Sequence, residues 1–267
     1  MLASDASALR GALEAPMREA GELARATARG PLKQWTKGTD RSPVTEGDIA
    51  VNELLRERLL VLAPAAAWIS EESEPSTSGR AGPLAWIVDP IDGTRAYVSG
   101  RSDWTISVAL IQSGRPLVAA LYAPVTDEMF LVSQDGGATL NGTPIRANPG
   151  DSLNGARLAG PKRYLDRLSG LTPEILIQPK VHSLALRIAR VAQGTLDAVL
   201  ASGGSHDWDL AAADLLVHEA GGVLTDFVGR PLRYNEPQSA HGALIAAGFA
   251  RHSALIELVR DGKTEFA

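Results

Sequence analysis

The chain has no cysteine among its 267 residues. That excludes a disulfide framework, a thiolate metal site and a cysteine nucleophile, so any metal must sit on oxygen or imidazole ligands. Basic residues are not in excess: 26 Lys and Arg face 31 Asp and Glu, for a formal net charge of -5. A surface of that sign does not wrap a nucleic acid polymer, which demands a basic face. A nucleotide as a small-molecule substrate is still compatible with it. An acidic protein that binds phosphates needs a local source of positive charge, and a metal ion is the obvious one. No apolar run is long enough to span a bilayer, so no membrane partner is expected. The start, MLASDASALR, lacks a basic stretch followed by an apolar one, so we expect no secretory signal and a cytoplasmic protein.

What is present is ordinary globular material, 45% hydrophobic and 21% charged, enough for one large domain or two small ones sharing a core. Leu9, Leu13, Met17, Ala20 and Leu23 recur at helical spacing and predict a helix over 7–29, with Pro16 marking a kink or break. Ser42–Thr45 is extended and leads into a second helix over 46–62. Residues 73–83 are polar and rich in Pro, Gly and Ser, the composition of a mobile loop. Strand-like runs over 68–70, 84–88, 104–111, 117–122 and 129–132, separated by turn residues, predict an antiparallel meander. The rhythm then changes. Strands over 157–160, 196–200, 223–226 and 243–247 alternate with helices over 183–193, 207–220 and from Ser253 onward. We place a boundary near 148, giving an N-terminal α+β half (1–148) and a C-terminal α/β half (149–267). Trp35 and Trp104 are expected in the core. His182, His218, His241 and His252 have no ligand-like spacing.

The segment Trp86-Ile-Val-Asp-Pro-Ile-Asp-Gly-Thr94 carries the most chemical information. An apolar strand runs into Asp89; Pro90 cannot continue the ladder, so a turn is expected there. It would leave two carboxylates at a strand end, and two close carboxylates do not both ionise without a cation. A hard divalent metal resolves that. Gly93 lets backbone approach a ligand, and the amides of Gly93 and Thr94 can face an anion. Three further acids lie at element ends: the pair Glu71-Glu72, Asp209 at a helix start, and Asp48 in Thr45-Glu-Gly-Asp48. Each also has a plain structural explanation. Asp92-Gly93 suits an ordinary turn, Glu71-Glu72 a solvated loop, Asp209 a helix dipole, and Thr45 with Asp48 a capping box.

Taken together, Glu71-Glu72, Asp89-Pro-Ile-Asp92-Gly-Thr94, Trp208-Asp209-Leu-Ala-Ala and Glu219-Ala-Gly-Gly-Val-Leu-Thr-Asp226 resemble the inositol monophosphatase superfamily of lithium-sensitive, magnesium-dependent phosphatases. The resemblance covers nearly the whole chain. It implies a layered αβαβα sandwich, in α+β and α/β halves, and two to three Mg²⁺ ions. Carried over, Glu71, Asp89 and the Ile91 carbonyl would bind one ion, and Asp89, Asp92 and Asp209 a second. Glu71 would help hold a third through water. Asp48 and Thr94 would orient the attacking water, with Glu71 beside them in the catalytic group. The Gly93 and Thr94 amides would hold the phosphate, and Asp92, Asp209 and Ser202 would face the substrate. Lys37 and Glu72 are further candidates. Members of the family often form homodimers.

On substrate, family members that cleave inositol phosphates or histidinol phosphate commonly carry a Glu seven residues before the last metal Asp. Here that residue is Ser202. The run Ala201-Ser-Gly-Gly and the segment Ser42-Pro-Val-Thr45 resemble the 3′(2′),5′-bisphosphate nucleotidase branch instead. The expected substrate is a small phosphate ester, adenosine 3′,5′-bisphosphate first and inositol-1-phosphate or histidinol phosphate as the alternative. A non-catalytic metal- or phosphate-binding relative would lack a ligand or the water-orienting pair, and none is missing.

Overall fold

The computed structural model describes residues 3–30, 32–37, 42–73, 82–171 and 174–260, with backbone alone at 3–5, 37, 42, 170–171 and 260. The chain opens with α1 (Ala3–Ala12), α2 (Glu14–Thr27), β1 (Gln34–Lys37), β2 (Ser42–Thr45) and α3 (Glu46–Leu62). There follow β3 (Ala67–Ser70), β4 (Leu84–Asp92), α4 (Thr94–Val98), β5 (Thr105–Gln112), β6 (Arg115–Ala123), β7 (Glu128–Ser133), β8 (Ala138–Leu140) and β9 (Thr143–Pro144). The second part contains β10 (Arg157–Ala159), α5 (Lys162–Leu171), β11 (Leu176–Ile177), α6 (Leu184–Ala192), β12 (Ala198–Ala201) and β13 (Ser205–His206). It ends with α7 (Asp207–Glu219), β14 (Gly222–Asp226), β15 (Ala240–His241), β16 (Leu244–Gly248) and α8 (Phe249–Arg260).

Strands β3 to β9 form one seven-stranded sheet in sequence order, antiparallel except for the β3–β4 pair. The turns fit their residues. Ser113-Gly114 and Asn141-Gly142 all take positive φ, as two-residue hairpins require. The second sheet has the order β11-β10-β12-β16-β14, parallel on one side of β12 and antiparallel on the other.

Side-chain alternation builds the layers. In β4, Trp86 and Val88 face Met17, Val51, Leu55 and Leu59 of α2 and α3, while Ile87 faces the opposite core. In β12, Val199 and Ala201 share that opposite core, while Ala198 and Leu200 pack with Tyr164, Leu165 and Leu168 of α5 and Leu255 of α8. Helices α6 and α7 lie between the two sheets. The order of layers is therefore helices, seven-stranded sheet, α6 and α7, five-stranded sheet, helices: the αβαβα sandwich that the resemblance implies. A helix with a sheet on each side buries nearly all its surface, and α7 is buried without a break from Leu210 to Val217.

Several expectations need correction. The first helix breaks at Leu13 rather than at Pro16. Proline has no N–H for the carbonyl four residues back, so the break falls one turn ahead of it. Pro90 does not end its strand. It sits in a β-bulge, with Asp89 paired to Ser107 and Asp92 to Thr105. Trp104 is buried, but Trp35 is 46% exposed. The expected loop at 73–83 falls mostly outside the described residues. Among those residues, no helix is long and apolar enough to cross a membrane.

Asp197 fastens the connection between the sheets to β10. Its carboxylate accepts from Asn148 Nδ2 at 2.7 Å, Arg157 N at 2.8 Å, Arg157 Nε at 2.9 Å and Arg157 Nη2 at 3.0 Å. Burial pushes its pKa up, but the Arg157 bonds outweigh burial and hold it below the ordinary value of 3.8. Asp197→Asn should cost about 2–3 kcal/mol in urea unfolding at pH 7, the worth of losing charge-assisted bonds. A depressed folded-state pKa contributes stability above the unfolded value and loses it as pH falls. The gap between wild type and variant should therefore be full above about pH 4 and close below it. An equal gap at pH 3 and pH 7 would contradict this.

Candidate active site

The site begins with the bulge. Along a regular strand, residues three apart point to opposite faces. Pro90 and Ile91 together oppose the single residue Ile106, and this extra residue returns Asp92 to the face of Asp89. The Ile91 amide donates to Asp89 Oδ1 at 3.0 Å, which fixes the carboxylate beside the bulge. Gly93 then takes φ 94°, and a Cβ there would lie 3.1 Å from the Ser183 nitrogen, so only glycine fits the approach to α6.

Three helix starts converge on this strand end. At α3, Asp48 Oδ2 accepts from Thr45 N at 2.7 Å and Thr45 Oγ1 at 2.6 Å, a capping box. At α6, Asp92 Oδ2 accepts from Ser183 Oγ at 2.6 Å and Ala185 N at 2.7 Å, and Oδ1 from Leu184 N at 3.2 Å. At α7, Asp209 Oδ2 accepts from His206 N at 2.6 Å. Ser107, the cross-strand partner of Asp89, donates to the Trp208 carbonyl at 3.3 Å and ties the start of α7 to β5.

Asp89, Asp92 and Asp209 each place a carboxylate oxygen within 4.8 Å of the others. Burial raises all three pKa values, and repulsion adds to it at Asp89, from Glu71 and Asp92, and at Asp209, from Asp92. For Asp92 the bonds from Ser183 and α6 oppose the rise. Burial also raises Asp48 to about 6, against its bonds to Thr45 and helped by the charges of Glu72 and Glu71. Crowded, buried, all-oxygen and acidic, the donor set suits a hard divalent cation such as Mg²⁺.

The other sequence candidates are placed as follows. Ser70 pairs with Val88 in register, so Glu71 lies beside Asp89, and its amide donates to the Val88 carbonyl at 3.2 Å. It stands outside the tight group of three carboxylates. The Glu72 amide is held by Ser70 Oγ at 3.2 Å. Thr94 Oγ1 donates to the Ile91 carbonyl at 3.1 Å and lies 3.4 Å from Asp48 Oδ1. Ser202 is exposed in the turn after β12, where its carbonyl accepts from Ser205 Oγ at 3.4 Å. The Lys37 side chain lies outside the described residues. Sequence reasoning missed Ser183. The available signal was a serine ahead of the helix at 184, but nothing in the chain announces that it also grips a carboxylate 91 positions away.

With this geometry described, comparison with known proteins is informative. The family model for the inositol monophosphatase family matches residues 5–263. Among curated relatives, the Escherichia coli K12 Nus factor SuhB is 32% identical over 195 residues, 70% of this chain and 72% of that one. The Rhizobium meliloti inositol-1-monophosphatase is 33% identical over 199 residues, 70% and 73% of the two chains. The 3′(2′),5′-bisphosphate nucleotidase CysQ of Aggregatibacter actinomycetemcomitans is 29% identical over 210 residues, 75% and 78%. Among solved structures, the extragenic suppressor protein suhB of Bartonella henselae superposes with a TM-score of 0.82 at 25% identity, covering 96% of this chain and 99% of that one.

Raised carboxylate pKa values carry a stability cost whose sign can be tested. A group with a raised folded-state pKa holds its proton more tightly folded than unfolded, so stability falls as pH rises above its ordinary value. In excess chelator, Asp89→Asn should therefore gain stability over wild type as pH rises from 4 to 8, read by thermal melting. A variant less stable than wild type throughout that range would show that crowding is not the dominant strain.

Proposed function

Since the chain belongs to the inositol monophosphatase family, and is thus a magnesium-dependent phosphatase, we propose that its substrate is adenosine 3′,5′-bisphosphate. Water attacks the 3′-phosphorus, the ester P–O bond breaks, and AMP and inorganic phosphate leave. One observation carries this choice: the turn after β12 presents Ser202-Gly203-Gly204 to solvent, with no carboxylate on it. A glutamate there would suit polyol hydroxyls or an amine but would repel a second phosphate. The likeness to CysQ supports the same reading.

In this reading Asp89, Asp92 and Asp209 hold magnesium, with Glu71 and the Ile91 carbonyl completing two to three sites. Magnesium supplies Lewis acidity there, lowering the barrier to attack on phosphorus and offsetting charge on the leaving oxygen. Thr94, anchored on the Ile91 carbonyl, aims the attacking water, and Asp48 Oδ1 takes its proton. The Gly93 and Thr94 amides, at the start of α4 where a helix leaves N–H groups unpaired, bind phosphate oxygens. Inositol-1-phosphate is the second reading, favoured by the 33% identity to a relative of that activity.

Three outcomes are expected. Hydrolysis should require Mg²⁺, stop in excess chelator and be inhibited by Li⁺; full activity in chelator would sink the metal mechanism. Metal-free Asp48 titrates at about 6 and a cation pulls it lower, so the acid limb of kcat/KM should lie at or below pH 6. Asp48→Asn should remove that limb and cost about 10²–10⁴-fold, and a limb that persists in the variant would acquit Asp48. Adenosine 3′,5′-bisphosphate should exceed inositol-1-phosphate by about tenfold or more in kcat/KM, and Ser202→Glu should narrow the gap. If inositol-1-phosphate is the better wild-type substrate, the nucleotidase assignment is wrong.

A further inference from the structure

The strand pair β13–β15 joins only Ser205 to His241 and His206 to Ala240. A ladder that short is marginal on its own. Yet His206, within it, supplies the amide that holds Asp209 Oδ2 at 2.6 Å. The segment 235–241 is fastened to the start of α7 by Asp207, and from both ends. Asp207 Oδ2 accepts from the Asn235 amide at 2.9 Å, and Oδ1 lies 2.8 Å from His241 Nε2. Between those ends the Asp207 amide donates to the Ser239 carbonyl at 3.0 Å, and Ser239 Oγ lies 3.3 Å from His206 Nδ1. Residues 235–241 thus form a strap tied down by one carboxylate. The strap also backs the turn after β12, where the Gly204 amide donates to the His241 carbonyl at 2.9 Å.

Two features show that this arrangement is unfavourable locally. Asp207 is fully buried, and its charge opposes that of Asp209. A further acid beside three crowded carboxylates is a poor choice for stability alone, and a neutral side chain would avoid that cost. Asn235 takes φ 59°, a left-handed conformation that is uncommon for a residue with a Cβ, while its amide meets Asp207. We propose that Asp207 is a positioning residue for magnesium. By fastening the strap it fixes the His206 amide, and through that amide the direction in which Asp209 presents its other oxygen. This rests on the acidic cluster being the magnesium site, as proposed above, and not on which phosphate ester is the substrate.

The test uses the full-length protein and whichever of adenosine 3′,5′-bisphosphate and inositol-1-phosphate wild type hydrolyses faster. Asp207→Ala should raise the Mg²⁺ concentration for half-maximal activity by about tenfold or more, with kcat at saturating Mg²⁺ within about threefold of wild type. Asp207→Asn keeps an oxygen for the Asn235 amide and offers an N–H to a neutral His241, so it should restore most of the wild-type requirement. His241→Ala leaves the Asn235 tie in place and should raise the requirement by about threefold or more; it carries the test if Asp207→Ala does not fold. A second readout needs no turnover. Mg²⁺ alone raises Tm by binding the folded state, and at one Mg²⁺ concentration that gain should be smaller in Asp207→Ala than in wild type. If Asp207→Ala melts below wild type by the same margin with and without Mg²⁺, and its Mg²⁺ requirement is unchanged, Asp207 is a structural residue and the proposal is overturned. An Asp207→Asn protein as impaired as Asp207→Ala would also overturn it, since the charge and not the strap would then matter. A wild type whose activity and Tm ignore Mg²⁺ would refute the metal reading and the proposal together, whereas a Mg²⁺-dependent wild type matched by its variants refutes the proposal alone.

Discussion

Three carboxylates, two buried and one half-buried, crowd together at the end of one strand, and the rest of the fold is arranged around holding them there. Asp92 is held by α6, Asp209 by the start of α7 and Asp89 by the bulge amide. Each helix start offers unpaired N–H groups and roughly half a positive charge. That is too little to offset three crowded acids, and the pKa values of all three remain raised. A divalent cation among the three would supply the positive charge that the helix starts do not. The geometry thus agrees with the metal dependence of the family.

The layered architecture is what brings those helix starts to the strand end. Helices α6 and α7 can both begin near β4 because they fill the space between the two sheets, which is largely apolar. The β4 strand must also present two acids on one face, which regular pleating forbids three residues apart. The bulge at Pro90 and Ile91 solves this, and Pro90 tolerates the position because a bulge leaves a residue without a ladder partner.

Local patterns in the chain forecast local structure well. The expected helix over 46–62 has the observed bounds of α3, where Thr45 and Asp48 form the capping box. The meander followed from alternating apolar runs and turn residues. Features that depend on distant partners were not legible. A proline in an apolar run reads as a stop, and only the partner strand shows that the ladder resumes at Thr105. The helix α5, ten residues with six charged or hydroxyl-bearing side chains among KRYLDRLSGL, carries too few apolar positions to declare itself. The two-residue pairing of β13 with β15 joins segments 36 residues apart. The acids of the site were found because their motifs are contiguous. Ser183 was not, because its partner Asp92 lies about ninety positions away in sequence.

The plain structural explanations of Asp48 and Asp209, a capping box and a place in a helix's first turn, also proved true, and they do not compete with the functional one. A carboxylate has two oxygens and about four lone-pair directions. Asp48 gives Oδ2 to its capping box and turns Oδ1 toward Thr94; Asp209 gives Oδ2 to the His206 amide, and Asp89 gives Oδ1 to the Ile91 amide. In each case one oxygen fixes the side chain and the other stays available for chemistry. A cap that did not spare an oxygen would be structure alone, and a carboxylate with no cap would swing away from its neighbours' charge. Asp92 is the exception, with both oxygens engaged by α6, so a cation reaching it must use a remaining lone pair.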